Sequence, residues 1–454
     1  MAESLFGVTT LDGKDYTFRL EKGILYINFG NNYHEYMFQN TRELPWDYID
    51  GVIDRTAKGV RFLISKTGYG SSMKSSFFSS FSISVLVKSY LLLKEPLLAG
   101  NKTRVILSNN KFSKWLSFYQ RFNLKPYNKD EDSWKVDSSV DLRTTKMVGN
   151  FSYKDKSVEV NPSVACKSSI DYANFTSELC FTIIGIIDIN FLTDFIVDLK
   201  TLISFAFYRQ NVEFGDIRIC VEYGDNNYHD VGSFYIPGLF EKEMEKPEIN
   251  SFIDYGFIPW NIFYNKIGKI VEAIEQNELY VYNLPENKKY QKYISIVSIP
   301  KDASAFEFEF YRLYPDYVSV KKNNDAYKKY EEEIIKIRDT SEKEVAKICN
   351  DQLANLFNPS LKERIEYAFD QFEYLLKDIY EKVFDTFDKK QIAKVIRDAR
   401  NDVDHGSLKT KIDVNVANAY YCIRILILAM TLKRFGFSDE EIKKSIIMVF
   451  EIRI

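Results

Sequence analysis

The sequence predicts an α+β chain, with a β-rich N-terminal region followed by an all-α C-terminal helical bundle. Up to about residue 250, apolar residues fall in short β-branched or aromatic runs bounded by Gly, Asn, Asp or Lys. Beyond about Ile258 they recur instead at three- and four-residue spacing. Beyond Lys321, helix start and stop signals follow one another at short intervals. The division falls near residue 255. It gives a β-rich domain over 1–255, in two sub-blocks around the polar segment 125–141, and a helical domain over 256–454 with its core bundle at about 325–454.

In the first region, strands are expected over 17–20, 23–29, 60–65, 81–93, 104–108, 180–189, 216–223 and 233–236. Alternation in 25–29 places Leu25, Ile27 and Phe29 on a buried face and turns Tyr26 and Asn28 outward. In the second region, Phe263, Ile267, Ile270, Val271 and Ile274 predict a helix over 261–276, and 280–299 reads ambiguously. Helices through Tyr330, Ile334 and Ile337 and over 345–357 are expected to complete the bundle. Asn358 as cap with Pro359 at the first helical position opens a helix striped by Ile365, Phe369, Phe372, Leu376, Ile379 and Val383. Asp388 and Gln391 resemble a capping box ahead of Ile392, Ile396, Ala399 and Val403. A helix over 415–434, with Val416, Ala419, Ile423, Leu426 and Met430 inward, ends at Gly436. Ser438 and Glu441 then cap a last helix through Ile442, Ile446 and Phe450. Amphipathic helices joined this closely must bury their stripes against one another.

An apolar fraction of 45% supports real cores, and a formal net charge of -3 leaves no whole-molecule field to attract nucleic acid. The start Met1-Ala2-Glu3-Ser4 resembles no secretory leader, and the apolar stretch 181–207 is broken by Asp188, Asn190, Asp194, Asp198 and Lys200. Cys166, Cys180, Cys220, Cys349 and Cys422 are scattered and form no C-x-x-C pair. These features predict a cytoplasmic chain with no membrane partner, no metal and no cofactor.

The chemistry concentrates at 397–406, Arg-Asp-Ala-Arg-Asn-Asp-Val-Asp-His-Gly, where a helix runs out. His405 is one of three histidines in the chain. Imidazole titrates near neutrality and can take a proton from a ribose 2′-hydroxyl. Arg400 stays charged and holds phosphate through paired donors, and Asn401 can orient the phosphate or the imidazole. Together they suffice for metal-free RNA cleavage in which the 2′-oxygen attacks its own phosphate. Residues 389–411 carry seven basic and three acidic side chains, a local net of +4. Asp398 and Asp404 either raise the imidazole's basicity or pair with Arg397 and Arg400. Arg400 and His405 lie about 140° apart on a regular helix. The helix must unwind at Gly406, the arginine must reach around, or a second subunit must supply the other half.

The run 400–405 resembles the R-x4-6-H motif of the HEPN superfamily, and a β-rich region ahead of a helical domain, with His405 followed by Gly406, is similar to the ApeA-like branch. This resemblance implies a helical-bundle endoribonuclease that acts in bacterial antiphage defence or as a toxin, cleaving tRNA or other RNA to leave 2′,3′-cyclic phosphate ends. It implies Arg400 as the phosphate-stabilising residue, Asn401 as the polar residue after it, and His405 as general base or acid. It further implies a homodimer or higher even oligomer through the helical domain, with two motifs in one cleft. A phage protein is the expected trigger at the N-terminal domain. The acidic pair Asp402 and Asp404 departs from what RNA approach favours.

Other constellations read more plainly. Glu222, Asp225, His229 and Asp230 sit on a turn-forming loop and read as a hydrated turn. His34 with Glu35 follows a turn, the Gly-containing loop 67–74 lacks phosphate-loop spacing, and 328–333 is a solvated helix face. Tyr33, Tyr36, Tyr69 and the Pro45–Trp46 pair suit recognition of a large ligand. Arg424, within an apolar helix face, requires a partner. The rival to a nuclease is a non-catalytic interaction protein whose helical domain is a dimerisation scaffold. A third reading, an enzyme on small phosphorylated ligands, requires a closed pocket.

Overall fold

The structure is a computed structural model. It describes residues 4–30, 44–54, 56–67, 70–74, 80–94, 100–108, 112–116, 120–125, 135–140, 148–168, 173–185, 187–212, 215, 217–224, 227–239, 256–383, 387–406 and 412–452. Tyr33, His34, Glu35, Tyr36, Tyr69 and Asp225 lie outside these residues. The chain divides into two compact units, one of Met1–Ala206, Asn211–Asp254 and Pro259–Glu278, the other of Phe207–Gln210, Tyr255–Ile258 and Leu279–Ile454.

The first unit is built on antiparallel strands. They are β1 (Leu5–Leu11), β2 (Lys14–Glu21), β3 (Ile24–Gly30), β4 (Tyr48–Ile53), β5 (Gly59–Ile64), β6 (Gly70–Lys74) and β7 (Ser80–Leu93). Two-residue turns join the first three, and Asp12, Gly13, Lys22 and Gly23 all take positive φ, which matches the right-handed twist of the flanking strands. β7 pairs with β3 along one edge and β5 along the other, and the path β3-β2-β1-β4-β5 closes a barrel. Its core holds Phe18, Leu20, Leu25, Ile27, Phe29, Phe62, Ile83 and Val85. The predicted alternation is met: Leu25, Ile27 and Phe29 are buried while Asn28 is exposed.

β7 then passes into a second set of strands through β15. The chain continues with β8 (Lys102–Ser108), α1 (Phe112–Trp115), the separate hairpin β9 (Gln120–Lys125) and β10 (Lys135–Val140), β11 (Gly149–Tyr153), β12 (Lys156–Ser168) and β13 (Ala173–Ile184). After α2 (Ile189–Ala206) come β14 (Ile217–Glu222) and β15 (Tyr228–Tyr235). The order across this sheet is β11-β12-β13-β8-β14-β15. The strand expected over 180–189 ends early, at Ile184. Asp188 accepts the Phe191 amide at 2.7 Å and starts α2, which packs on β7 where Ser89 and Thr193 share a buried 2.7 Å hydrogen bond. The helix expected over 261–276 forms as α3 (Trp260–Phe263), one 3-10 turn and α4 (Ile267–Glu275), which packs against β11.

The second unit is an α-helical bundle. It contains α5 (Ser298–Leu313), α6 (Asp325–Thr340), α7 (Lys343–Leu356), α8 (Leu361–Val383), α9 (Lys389–Asp404), α10 (Val414–Arg434) and α11 (Asp439–Phe450). α10 is central: it is buried on nearly all sides from Ala419 to Leu432 and packs on α5, α8, α9 and α11. By length and composition it could cross a bilayer, yet 67% of its most apolar window is buried inside the protein. Gly436, with φ +79, ends it as predicted, its amide bonded to the Lys433 carbonyl.

Two expectations are corrected here. α8 starts at Leu361 because Ser360, not Asn358, caps it: the Glu363 amide donates to Ser360 Oγ and the Ser360 amide to Glu363 Oε2. α6 and α7 pack against one another, and only Ile334 and Cys349 on them are buried, so Tyr330, Ile337, Val345 and Ile348 stay exposed instead of entering the bundle core. The region 280–299 forms loops, with a 3-10 turn at Lys288–Gln291, and then opens α5.

Candidate functional site at the end of helix α9

α9 is fixed at both ends by local chemistry. Asp388 accepts the amides of Lys390 and Gln391 at its start. At its end the His405 amide reaches the Asn401 carbonyl at 3.0 Å, and Gly406, at φ +72, bonds the Val403 carbonyl. Ala393, Ile396 and Ala399 are buried against the bundle. That face turns Asn401 and His405 into solvent and leaves Arg400 half-buried.

The acidic residues of the motif are engaged by its arginines. Arg400 Nε lies 2.8 Å from Asp404 Oδ2, one turn along the helix. Arg397 donates to Asp398 Oδ1 through Nε at 2.8 Å and through Nη2 at 2.5 Å. Lys389 pairs with Asp370 and Glu373 of α8. Lys390 and Lys394 on α9 are exposed and make no ion pair among the described residues, so they carry the local positive field. Lys409 and Lys411 lie outside the described residues.

Beneath the motif stands a group that sequence reasoning missed. Tyr420 of α10 is fully buried, and its hydroxyl donates to the Ile396 carbonyl at 3.2 Å. Burial pushes this phenol well above its ordinary range, with Asp302 and Asp404 adding to the effect and Arg400 opposing it. Nothing local in the sequence distinguishes Tyr420 from the neighbouring Tyr421, since the pairing depends on how α9 crosses α10.

No hydrogen bond among the described residues joins the side chains of Arg400, Asn401 and His405, and the His405 ring has no hydrogen-bond partner among them. One chain therefore presents a guanidinium held by its own carboxylate and, round the helix, a free imidazole. Elsewhere, Glu222 pairs with Lys102 at 2.9 Å, Asp230 pairs with Lys94 at 2.5 Å, and His229 packs edge-on to Tyr223. Among the described residues no three His, Cys, Asp or Glu side chains cluster to hold a metal.

No curated protein and no solved structure matches the chain. A family model described as Apea-like HEPN matches residues 308–441, from the last turn and a half of α5 to the first turn of α11, and the α9 motif lies inside it. The bundle thus contains a helical domain of the HEPN superfamily.

Proposed function

We propose that the protein is a metal-independent endoribonuclease of bacterial antiphage defence, with Arg400, Asn401 and His405 as its catalytic residues and the β-rich unit as its control. The observation that carries this reading is the placement of the motif. An arginine and a histidine with four residues between them stand at a solvent-facing, glycine-terminated helix end, inside the segment that matches the HEPN model.

In the reaction, neutral His405 takes the proton from a ribose 2′-hydroxyl and the 2′-oxygen attacks the adjacent phosphorus. Arg400 binds the non-bridging oxygens, with more to gain as charge builds on the phosphorane, and Asn401 adds a neutral donor. The 5′-oxygen leaves with a proton supplied by an acid, and a 2′,3′-cyclic phosphate remains. Because Arg400 and His405 sit about 140° apart round one helix, the proposal places them across a two-fold axis, each arginine serving the imidazole of the other subunit. Such a protein would cleave tRNA or other cellular RNA and halt growth of the infected cell, and the β-rich unit would recognise the trigger.

The test incubates the full chain with tRNA in EDTA and maps product ends. Cyclic-phosphate ends that disappear in both Arg400→Ala and His405→Ala are expected. Equal products from either variant, or loss of wild-type cleavage on chelation, would overturn the assignment. Mixing the two inactive variants separates composite from single-chain sites: a two-fold site recovers partial activity, because the mixed dimer holds one intact half.

A further inference from the structure

A cavity of about 370 Å³ opens in the helical unit, with no α9 residue in its lining, and Arg424 lines it. The guanidinium is 2% exposed. Nε donates to Asp302, and Nη1 donates to the carbonyls of Gln291 and Tyr293 at 3.2 and 2.9 Å. Nη2 makes no hydrogen bond among the described residues. A buried guanidinium with two donors left over, on the wall of a cavity, is an anion site with most of its desolvation already met by Asp302 and the two carbonyls. Lys301 also lines the cavity, and its ammonium has no ion-pair partner among the described residues. Tyr290, Tyr293 and Val297 supply an aromatic and aliphatic wall, and Glu286 adds one acceptor. The volume lies at the small end of the range for small-molecule sites.

We propose that this cavity binds a small organic anion, a phosphate monoester or a carboxylate, that also carries a hydroxyl or amino donor. Arg424 Nη2 and Lys301 hold the anionic head, the tyrosines and Val297 cover the body, and Glu286 accepts from the donor group. An RNA strand does not suit this site: the guanidinium lies too deep for a continuous backbone to pass it. The site is independent of the proposed nuclease activity, because none of its residues lies on α9.

Isothermal titration of the full chain, without RNA, tests it with inorganic phosphate, AMP and citrate as probes. AMP tighter than phosphate assigns the organic phosphate, and citrate tighter than AMP assigns the carboxylate. For the tighter probe, Lys301→Ala should weaken binding by about tenfold. Val297→Trp, a change at an exposed position that fills the mouth, should abolish it, with melting temperature unchanged for both variants. The proposal is overturned if none of the three probes binds at millimolar concentration. It is equally overturned if both variants bind within about twofold of the wild type, the size of an ordinary surface effect.

Discussion

Arg424 Nε donates to Asp302 Oδ2 at 2.8 Å with both side chains out of water, at 2% and 0% exposure. α10 is apolar on almost every side, so a charge in its middle persists only with a partner of opposite sign and acceptors for most of its other donors. Asp302 of α5 supplies the first, and the carbonyls of Gln291 and Tyr293 take Nη1, leaving Nη2 without a hydrogen bond among the described residues. Burial pushes the Asp302 carboxyl up to about 6 against the downward pull of Arg424. The pair therefore ties α5 to α10 at a net cost in solvation that the bundle carries elsewhere.

Breaking the pair from the arginine side should be expensive and pH-dependent. Arg424→Leu leaves Asp302 buried without its cation and should cost about 3–5 kcal/mol at pH 7. A carboxyl raised above its unfolded value contributes stability that is complete below that value, 3.8, and lost as pH rises through the folded one, about 6. Without Arg424 the folded value climbs further, so the variant goes on losing stability above pH 6 where the wild type has levelled off. Urea unfolding should show the gap between the two proteins widening from pH 5 to pH 8. A gap constant over that range would mean that Asp302 is not the group responsible.

The opposite sign applies at the start of α8. Glu363 accepts from the Ser360 amide at 2.8 Å and from Ser319 Oγ at 2.7 Å. Burial raises its carboxyl, but these hydrogen bonds outweigh burial and hold it below the ordinary 4.5. Stability from a lowered carboxyl is present above the unfolded value and lost as pH falls through the folded one. Glu363→Gln should cost roughly 1 kcal/mol at pH 7, at the low end for a charged hydrogen bond because the group is partly in solvent. Denaturant titrations at pH 7 and pH 3.5 should show the deficit shrinking in acid. A deficit of equal size at both would assign the role to shape instead of charge.

Local chemistry explains what could be read from the sequence. Asp388, Ser438, Gly436 and Gly406 act within three or four residues of themselves. The structure uses the last three as expected, while Asp388 caps α9 by accepting the Lys390 and Gln391 amides without the reciprocal Gln391 bond of a full capping box among the described residues. α5 was not legible because Phe306, Glu307, Phe308, Glu309 and Phe310 alternate at period two, the pattern of a half-buried strand. Their helical arrangement depends on distant arginines: Glu309 pairs with Arg434, 125 residues on, and Asp302 with Arg424, 122 residues on. α2 was masked in the same way, its apolar residues running on from β13, with Asp188 as the one signal that a helix begins. At α9 the sequence left Asp404 open between the imidazole and an arginine. One-turn spacing alone permits the Arg400 pair, but the choice is made by which face the bundle buries.

That choice yields a test of the motif itself. Arg400 and Asp404 are 38% and 37% exposed, so their 2.8 Å pair should contribute no more than about 0.5 kcal/mol and weaken in salt. The carboxylate nonetheless competes with an RNA phosphate for the same guanidinium, and its charge repels the strand. Under the nuclease reading, Asp404→Asn should raise kcat/KM on tRNA by roughly three- to tenfold at low salt, the size of one like-charge repulsion near a phosphate. Its melting temperature should stay close to the wild type. Adding Arg400→Ala to Asp404→Asn should return cleavage to the level of Arg400→Ala alone, because the gain acts through the arginine. If Asp404→Asn cleaves more slowly than the wild type while folding normally, the carboxylate positions Arg400 for catalysis and does not compete for it.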